Sequence, residues 1–243
     1  WPKPRKLCDV DKAAAAAVID KASEGYLIEP LALRVLAAYG LPVVSSELTM
    51  TPDEAVAAAD RVGYPVVLRI VSPSIVHKFD VKGVILNLKN AKELRSACIE
   101  MREAILERYT QSDIAGFLVR RMIPAGKEVI LGLSRDEAFR HVLMFGLGGI
   151  YVEALKDVTF RVVPVDEATV EGMLGDLRAA AVLQGLRGEA ASDTAAIADA
   201  IKRLSQLAAD FPRIAELDIN PLIVHPAGQG CHVADVRIRL GNR

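Results

Sequence analysis

Hydrophobic patterning changes character near Ile114. Before it, helix-period segments alternate with short β-branched runs. After it come "GFLVRRMI", "KEVILGLSRD" and "RHVLMFGL", separated only by "PAG" and "DEAF". Strands alternating with helices predict a layered αβ lobe, and strands joined by short turns predict an antiparallel meander. A chain of 243 residues that does both is expected to form two lobes with a ligand cleft between them.

Residues 9–24 read as a helix. In "EPLALRVLAAYG", Leu31, Val35, Leu36 and Tyr39 fall on one helix face, Pro30 suits the first turn and Gly40 the stop. "PVVSSELTM" is strand-like. In "TPDEAVAAADRVG", Thr51 is the expected N-cap, Pro52 opens the helix, Asp53 and Glu54 favour its positive end, and Gly63 ends it. "YPVVLRIV" reads as a buried strand, "GVILNL" as the next, and 91–110 as a long helix. Further on, "VTFRVVPV" is a fourth strand of the meander, helices are expected near 166–183 and 193–209, and "IAELDINPLIVH" returns through "PAGQG" into "CHVADVRI" as a hairpin. The expected division is an N-terminal linker and helix over 1–25, a small lobe over 26–112 and a larger antiparallel α+β lobe over 113–243. The chain begins without Met, so a piece of a longer polypeptide is expected, with Trp1–Lys6 as linker.

A net charge of −1 gives no basis for general nucleic-acid or membrane-surface binding. The Ala13–Ala17 run is too short and too closely flanked by charge to cross a membrane. Cys8, Cys98 and Cys231 match no metal or redox spacing and suit a reducing, cytoplasmic compartment.

Four stretches carry candidate chemistry. In "ELDINPL", Glu216, Asp218 and Asn220 recur at period two and so share a strand face, with Asp235 on the returning strand. Such hard oxygen donors suit Mg²⁺, which takes one or two protein ligands and leaves the rest to phosphate and water. "FGLGGIYVE" places Gly146, Gly148 and Gly149 where backbone N–H groups could approach an anion, although a tight turn explains them equally well. "SPSIVHKFDVKGV" sets His77 beside Lys78, after a strand read as ending in Arg69. An imidazole can accept a phosphoryl group, and Lys78, Lys82 and Arg69 could neutralise it; on spacing alone, a surface histidine is the more economical account. Arg161 suits a phosphate or an ion pair with Asp157. Glu128 suits a ribose or adenine contact, or plain exposure.

The ordered segments "GYPVVLRIVSPSIVHKFDVKGVILNL", "GKEVILGLSRD", "VLMFGLGGIYVEALKDVTFRVVPV" and "ELDINPLIVHPAGQGCHVADVRI" resemble the ATP-grasp domain of ADP-forming acyl-CoA synthetases. More distantly, they are similar to the β subunit of succinyl-CoA synthetase. The resemblance runs from Tyr26 to Leu240 and implies an ATP-grasp fold of class α/β, with the nucleotide cleft between a small αβ lobe and a larger antiparallel lobe. It implies ATP or ADP with Mg²⁺, and a CoA-binding domain or α subunit as partner. It also implies phosphoryl transfer through His77, Mg²⁺ held by Asn220 and Asp235 on the C-terminal hairpin, Arg69 in place of a phosphate-binding Lys, and the 146–149 glycines against the phosphate.

Three positions depart from that pattern: Arg69 for Lys, Lys82 for a usual Gly, and Arg121 for a residue usually acidic or polar. They keep open a second reading, a catalytically weakened domain with an assembly or regulatory role, as in fusions to an acetyltransferase. A carboxylate–amine ligase is a third reading, set apart because those enzymes lack a counterpart of the His77 loop.

Overall fold

The structure is a computed structural model, and it describes residues 6–75, 81–149, 156–185 and 188–242. The chain divides into two compact units: 1–27, 31–43 and 125–243 form the larger, and 28–30 with 44–124 the smaller.

The smaller unit is built on a four-stranded sheet of β2 (Ser46–Thr49), β5 (Gly116–Arg121), β3 (Val66–Val71) and β4 (Val84–Leu88), in the order β2-β5-β3-β4. Every pairing is antiparallel. Helices α3 (Pro52–Val62) and α4 (Ala91–Leu106) cover one face, burying Leu94, Cys98, Met101 and Ile105 against Val66, Leu68, Ile70, Phe117 and Val119. Each fully buried Leu or Ile contributes about 1.5–3 kcal/mol, so this seam dominates the unit's stability. Helix α3 begins as its sequence dictates. Thr51 Oγ1 accepts the Glu54 N–H at 3.2 Å, the Glu54 carboxylate accepts the Met50 N–H at 2.7 Å, and Gly63 ends the helix at φ +83°. The opposite sheet face carries Val67, Arg69, Val71, Leu118 and Arg120, and it too is buried.

The larger unit holds a seven-stranded antiparallel sheet. Its order is β1 (Gly25–Tyr26), β11 (Val236–Leu240), β9 (Ile214–Val224), β6 (Lys127–Asp136), β7 (Arg140–Leu147) and β8 (Val158–Val162), with β10 (Cys231–Val233) also paired to β9. Helix α6 (Thr194–Asp210) buries Ile197, Ile201, Leu204 and Leu207 and packs against β7 and β9. Helices α1 (Lys12–Ile19), α2 (Glu29–Ala38) and α5 (Glu167–Gly175) complete the set among the described residues.

Two expectations change. By sequence the run "GFLVRR" belongs to the meander, but β5 lies between β2 and β3 in the smaller sheet, and the chain passes to the larger unit at Pro124–Ala125. A short apolar run shows that it is a buried strand without showing which sheet it joins. Helix α1 is also shorter than 9–24: Asp11 caps it by accepting the Ala14 N–H at 2.9 Å, and it ends at Ile19.

Candidate functional site

The C-terminal strands position the candidate metal ligands. Strand β10 pairs Cys231 with Val224 and Val233 with Leu222, while β11 pairs Val236 with Ile219 and Arg237 with Asp218. The register is the same on both sides of the gap, which sets Asn220 opposite Asp235. The Asn220 N–H donates to the Asp235 carbonyl at 3.2 Å, and the Ala234 N–H to that of Pro221 at 3.0 Å. Directly opposed residues project to one face. That face therefore carries three successive cross-strand pairs: Asn220 with Asp235, Asp218 with Arg237, and Glu216 with Arg239.

The lower two pairs are ion pairs. Arg239 grips Glu216 through Nε at 3.0 Å and Nη2 at 2.9 Å, which holds the Glu216 carboxyl below the usual range. Arg237 Nη2 lies 3.3 Å from Asp218 Oδ2. Burial nevertheless pushes the Asp218 carboxyl above its ordinary value; Arg237 opposes the shift and the charge of Asp235 adds to it. At the end of this ladder Asp235 lies opposite Asn220. The face takes no cation from β9 itself; β11 supplies Arg237 and Arg239. Among the described residues no three His, Cys, Asp or Glu side chains form a metal cage. Asp218, Asn220 and Asp235 instead offer two carboxylates and one amide oxygen, hard donors that fit Mg²⁺ sharing its remaining positions with phosphate and water.

The glycines separate by role. Gly146 lies inside β7, where a Cβ would stand 2.6 Å from Val158 Cγ1 and 2.8 Å from the Asp157 carbonyl. Its small size is explained by strand packing. Gly148 donates its N–H to the Glu128 carbonyl at 2.8 Å, and a Cβ there would come within 2.9 Å of Glu128 Cβ. Gly149 has φ +59° and lies under the Glu128 carboxylate. Glu128, Gly148 and Gly149, together with Gly126, Lys127, Leu147 and Val182, line a cavity of ≈ 230 Å³. A carboxylate there suits a hydroxyl or amino donor better than a phosphate. Sequence reading assigns Glu128 and the glycines to different parts of a nucleotide; the structure brings Glu128, Gly148 and Gly149 to one cavity and leaves Gly146 outside its lining.

Arg161 pairs with Asp176, at the end of α5, and not with Asp157. Asp157 instead accepts the N–H groups of Arg178 and Ala179, each at 2.8 Å. Arg69 does not end its strand. It sits within β3, 2% exposed, with Nε 3.0 Å from Glu29 Oε1 and 3.1 Å from Oε2. Glu29 is 4% exposed. His77 and Lys78 lie outside the described residues.

Sequence reading missed Glu29, Arg237 and Arg239. The two arginines were legible, since "VRIRL" repeats at the same period as "ELDIN". Glu29 stands in the first turn of α2, where an acid is ordinary and signals no partner.

The ATP-grasp domain family matches residues 19–240, and the chain belongs to it. Its place there is with the ADP-forming acyl-CoA synthetases. The β subunit of acetate–CoA ligase [ADP-forming] II from Pyrococcus furiosus is 43% identical over 215 residues, covering 88% of this chain and 91% of that subunit. The 4-hydroxybutyrate–CoA ligase [ADP-forming] of Nitrosopumilus maritimus is also 43% identical, over 95% of this chain, but the chain spans only 34% of its length. PH1788 from Pyrococcus horikoshii superposes with a TM-score of 0.91 at 42% identity, covering 96% of this chain and all of that one. Acetyl-coenzyme A synthetase 1 of Ca. Korarchaeum cryptofilum, solved with coenzyme A and Mg-AMPPCP and with its phosphohistidine segment pointing towards the nucleotide-binding site, gives 0.80 at 38% identity over 95% of this chain and all of that one.

Proposed function

We propose that this chain is the nucleotide-binding module of an ADP-forming acyl-CoA synthetase. It exchanges a phosphoryl group between ATP or ADP and a phosphohistidine. The observation that carries the reading is the Asn220–Asp235 pair at the end of the β9–β11 ladder, with Asp218 beside it. In this reading Asn220, Asp235 and Asp218 hold Mg²⁺, which would neutralise charge on the nucleotide phosphates when bound. Glu128, with Gly148 and Gly149 shaping its cavity, accepts a hydrogen bond from the nucleoside, and Arg69 takes a phosphate oxygen. Gly146 serves the same region as strand framework, and Arg161 through its hold on α5. His77 receives the phosphoryl group: an unprotonated ring nitrogen forms the N–P bond as the bond from the bridging oxygen to phosphorus breaks, and ADP leaves with that electron pair. Lys78 supplies positive charge to the group in transit.

The partner is a CoA-binding domain or α subunit. The likeness to a separate β subunit, and to a ligase of which this chain spans a third, supports that division. No helix among the described residues is long and apolar enough to cross a membrane. The three free cysteines support a cytoplasmic location.

Calorimetry of the chain with ADP and Mg²⁺ tests the reading. A saturable, Mg²⁺-dependent heat is expected, and no heat with either ADP or ATP sinks it. The buried Arg69–Glu29 pair favours a second reading, a synthetase-like domain that has lost phosphoryl transfer and serves assembly or regulation. Acid-labile ³²P on the chain, absent from His77→Asn, would exclude that alternative.

A further inference from the structure

The larger sheet ends, away from the metal ligands, in a second cavity of ≈ 820 Å³ whose lining includes four arginines. The whole lining belongs to the larger unit. Glu216, which shares it, stands four residues before Asn220 on β9, about 13 Å along the strand. Arg239 is neutralised there by Glu216. The other three arginines are paired with no carboxylate among the described residues.

Arg213 donates Nη1 to the Ile19 carbonyl at 2.6 Å, Nη2 to that of Ala22 at 3.0 Å and Nε to that of Gly241 at 3.4 Å. These are neutral peptide groups, so the full charge stays on the arginine. Arg135 reaches the same glycine from β6: a Cβ added at Gly241 would stand 3.5 Å from Arg135 Nη1. Among the described residues neither Arg135 nor Arg140 makes a side-chain hydrogen bond or ion pair. Two guanidinium groups drawn onto one residue repel unless an anion lies with them. The carboxylates of the cavity do not take that place. Asp136 Oδ1 accepts the Ala138 and Phe139 N–H groups at 2.8 and 2.9 Å, and Glu137 is exposed on the turn.

Arg140 adds an independent observation. It opens β7 at φ +67°, a backbone region that favours Gly or Asn. Its side chain is exposed and supports nothing in the fold. Strain kept at such a position points to a use for the side chain.

We infer that Arg135, Arg140 and Arg213 form an anion site for a phosphate group, separate from the Asn220–Asp235 pair. Forks converging from β6, β7 and the start of β9 match the tetrahedral oxygens of phosphate, whereas a carboxylate is satisfied by one fork. The cavity admits the group as a free anion or as the end of an ester.

Amide NMR spectra of the ¹⁵N-labelled whole chain test it, titrated without Mg²⁺ with inorganic phosphate and, separately, with glycerol 3-phosphate. Saturable shifts are expected at the His141 and Gly241 N–H groups. Tighter binding of the ester marks an ester-borne group and tighter binding of inorganic phosphate a free anion; either result supports the site. Arg135→Gln is expected to weaken binding roughly ten-fold, the scale of one charge-assisted hydrogen bond. Arg140→Gly should weaken it similarly while raising Tm, because glycine accepts the backbone that arginine strains. A purely structural arginine would leave Kd unmoved. No shift at these amides with either probe overturns the inference, as do shifts that potassium chloride reproduces at matched ionic strength. An unchanged Kd in either variant also overturns it. If Arg135→Gln does not fold, Arg140→Gly alone decides.

Discussion

Lys82 holds φ +54°, in the left-handed region where a Cβ crowds the following carbonyl. It stands at the mouth of β4, where the Gly83 carbonyl accepts the Ile70 N–H at 2.8 Å and fixes the turn. The resemblance anticipates glycine at this position, and the backbone has kept the conformation glycine would prefer. Lys82→Gly should therefore stabilise the fold by about 1 kcal/mol, read as a higher denaturant midpoint at unchanged slope; a lower midpoint would show that the lysine side chain contributes more than the backbone loses. Asp193 is a second case where one residue does more than its local sequence suggests. It caps α6 by accepting the Ala196 N–H at 3.0 Å and ties down the β9–β10 turn by accepting the Gly230 N–H at 2.8 Å. These bonds, Gly230 first, hold its carboxyl below the usual value of 3.8. A depressed folded-state pKa means that the unfolded chain takes up the proton first. The stabilisation is therefore complete above the unfolded chain's value and is lost as pH falls through the lowered folded-state value. Asp193→Asn should flatten the loss of Tm on acidification below about pH 4, and an unchanged acid limb would assign that loss to other carboxylates.

Among the elements, the three cross-strand pairs of β9 and β11 show how much of the site could be read from the chain. Period-two spacing in "ELDINPL" gave the shared face, and the structure returns it with Glu216 and Asn220 exposed and Leu217 and Ile219 buried. Spacing could not give the register, because that depends on how the returning strand slides, and a register is a long-range property. The register is what brings Asp235 opposite Asn220 and supplies Arg237 and Arg239 to the acids below. The same limit explains β5: its apolar run was read correctly as a strand, yet its neighbours are β2 and β3, more than forty residues away in sequence. The pairing of Arg69 is illegible for a related reason. Its partner Glu29 is forty residues distant, and the intervening pattern carries no trace of the pairing. Within the ladder Glu216 is held bidentately by Arg239, and Asp235 accepts the adjacent Val236 N–H at 2.9 Å and lies opposite Asn220. Asp235→Ala should lower Mg²⁺-dependent nucleotide turnover roughly 100-fold or more, since a lost ligand removes several kcal/mol of charge stabilisation. Tm should change little. An unfolded variant would mark Asp235 as part of the sheet.

At the scale of the whole molecule, the question is how much of a reaction one such chain can carry. Its resources divide cleanly: hard oxygen donors on the larger sheet, a carboxylate beside glycines in a small cavity, and a buried guanidinium in the smaller sheet. Each of these suits some part of a magnesium nucleotide, and a net charge of −1 leaves no broad basic surface for a large polyanion. Thioester chemistry calls for different equipment, a site that orients CoA and an acyl group, and the proposed reading assigns it to the partner. The two halves should therefore separate experimentally. The chain alone is expected to bind ADP with Mg²⁺ yet form no ATP from an acyl-CoA, ADP and inorganic phosphate. Adding the CoA-binding domain or subunit should restore ATP formation, and His77→Asn should abolish it again while leaving ADP binding within about two-fold of wild type, because removing a phosphoryl acceptor costs a step and not the ground-state complex. The measurement is a coupled assay for ATP run beside the calorimetric titration. ATP formation by the chain alone would place acyl-CoA chemistry on this polypeptide and overturn the division. A reconstituted pair that assembles and binds ADP but makes no ATP would decide for the assembly role, with Arg69 and Glu29 retained as a structural pair.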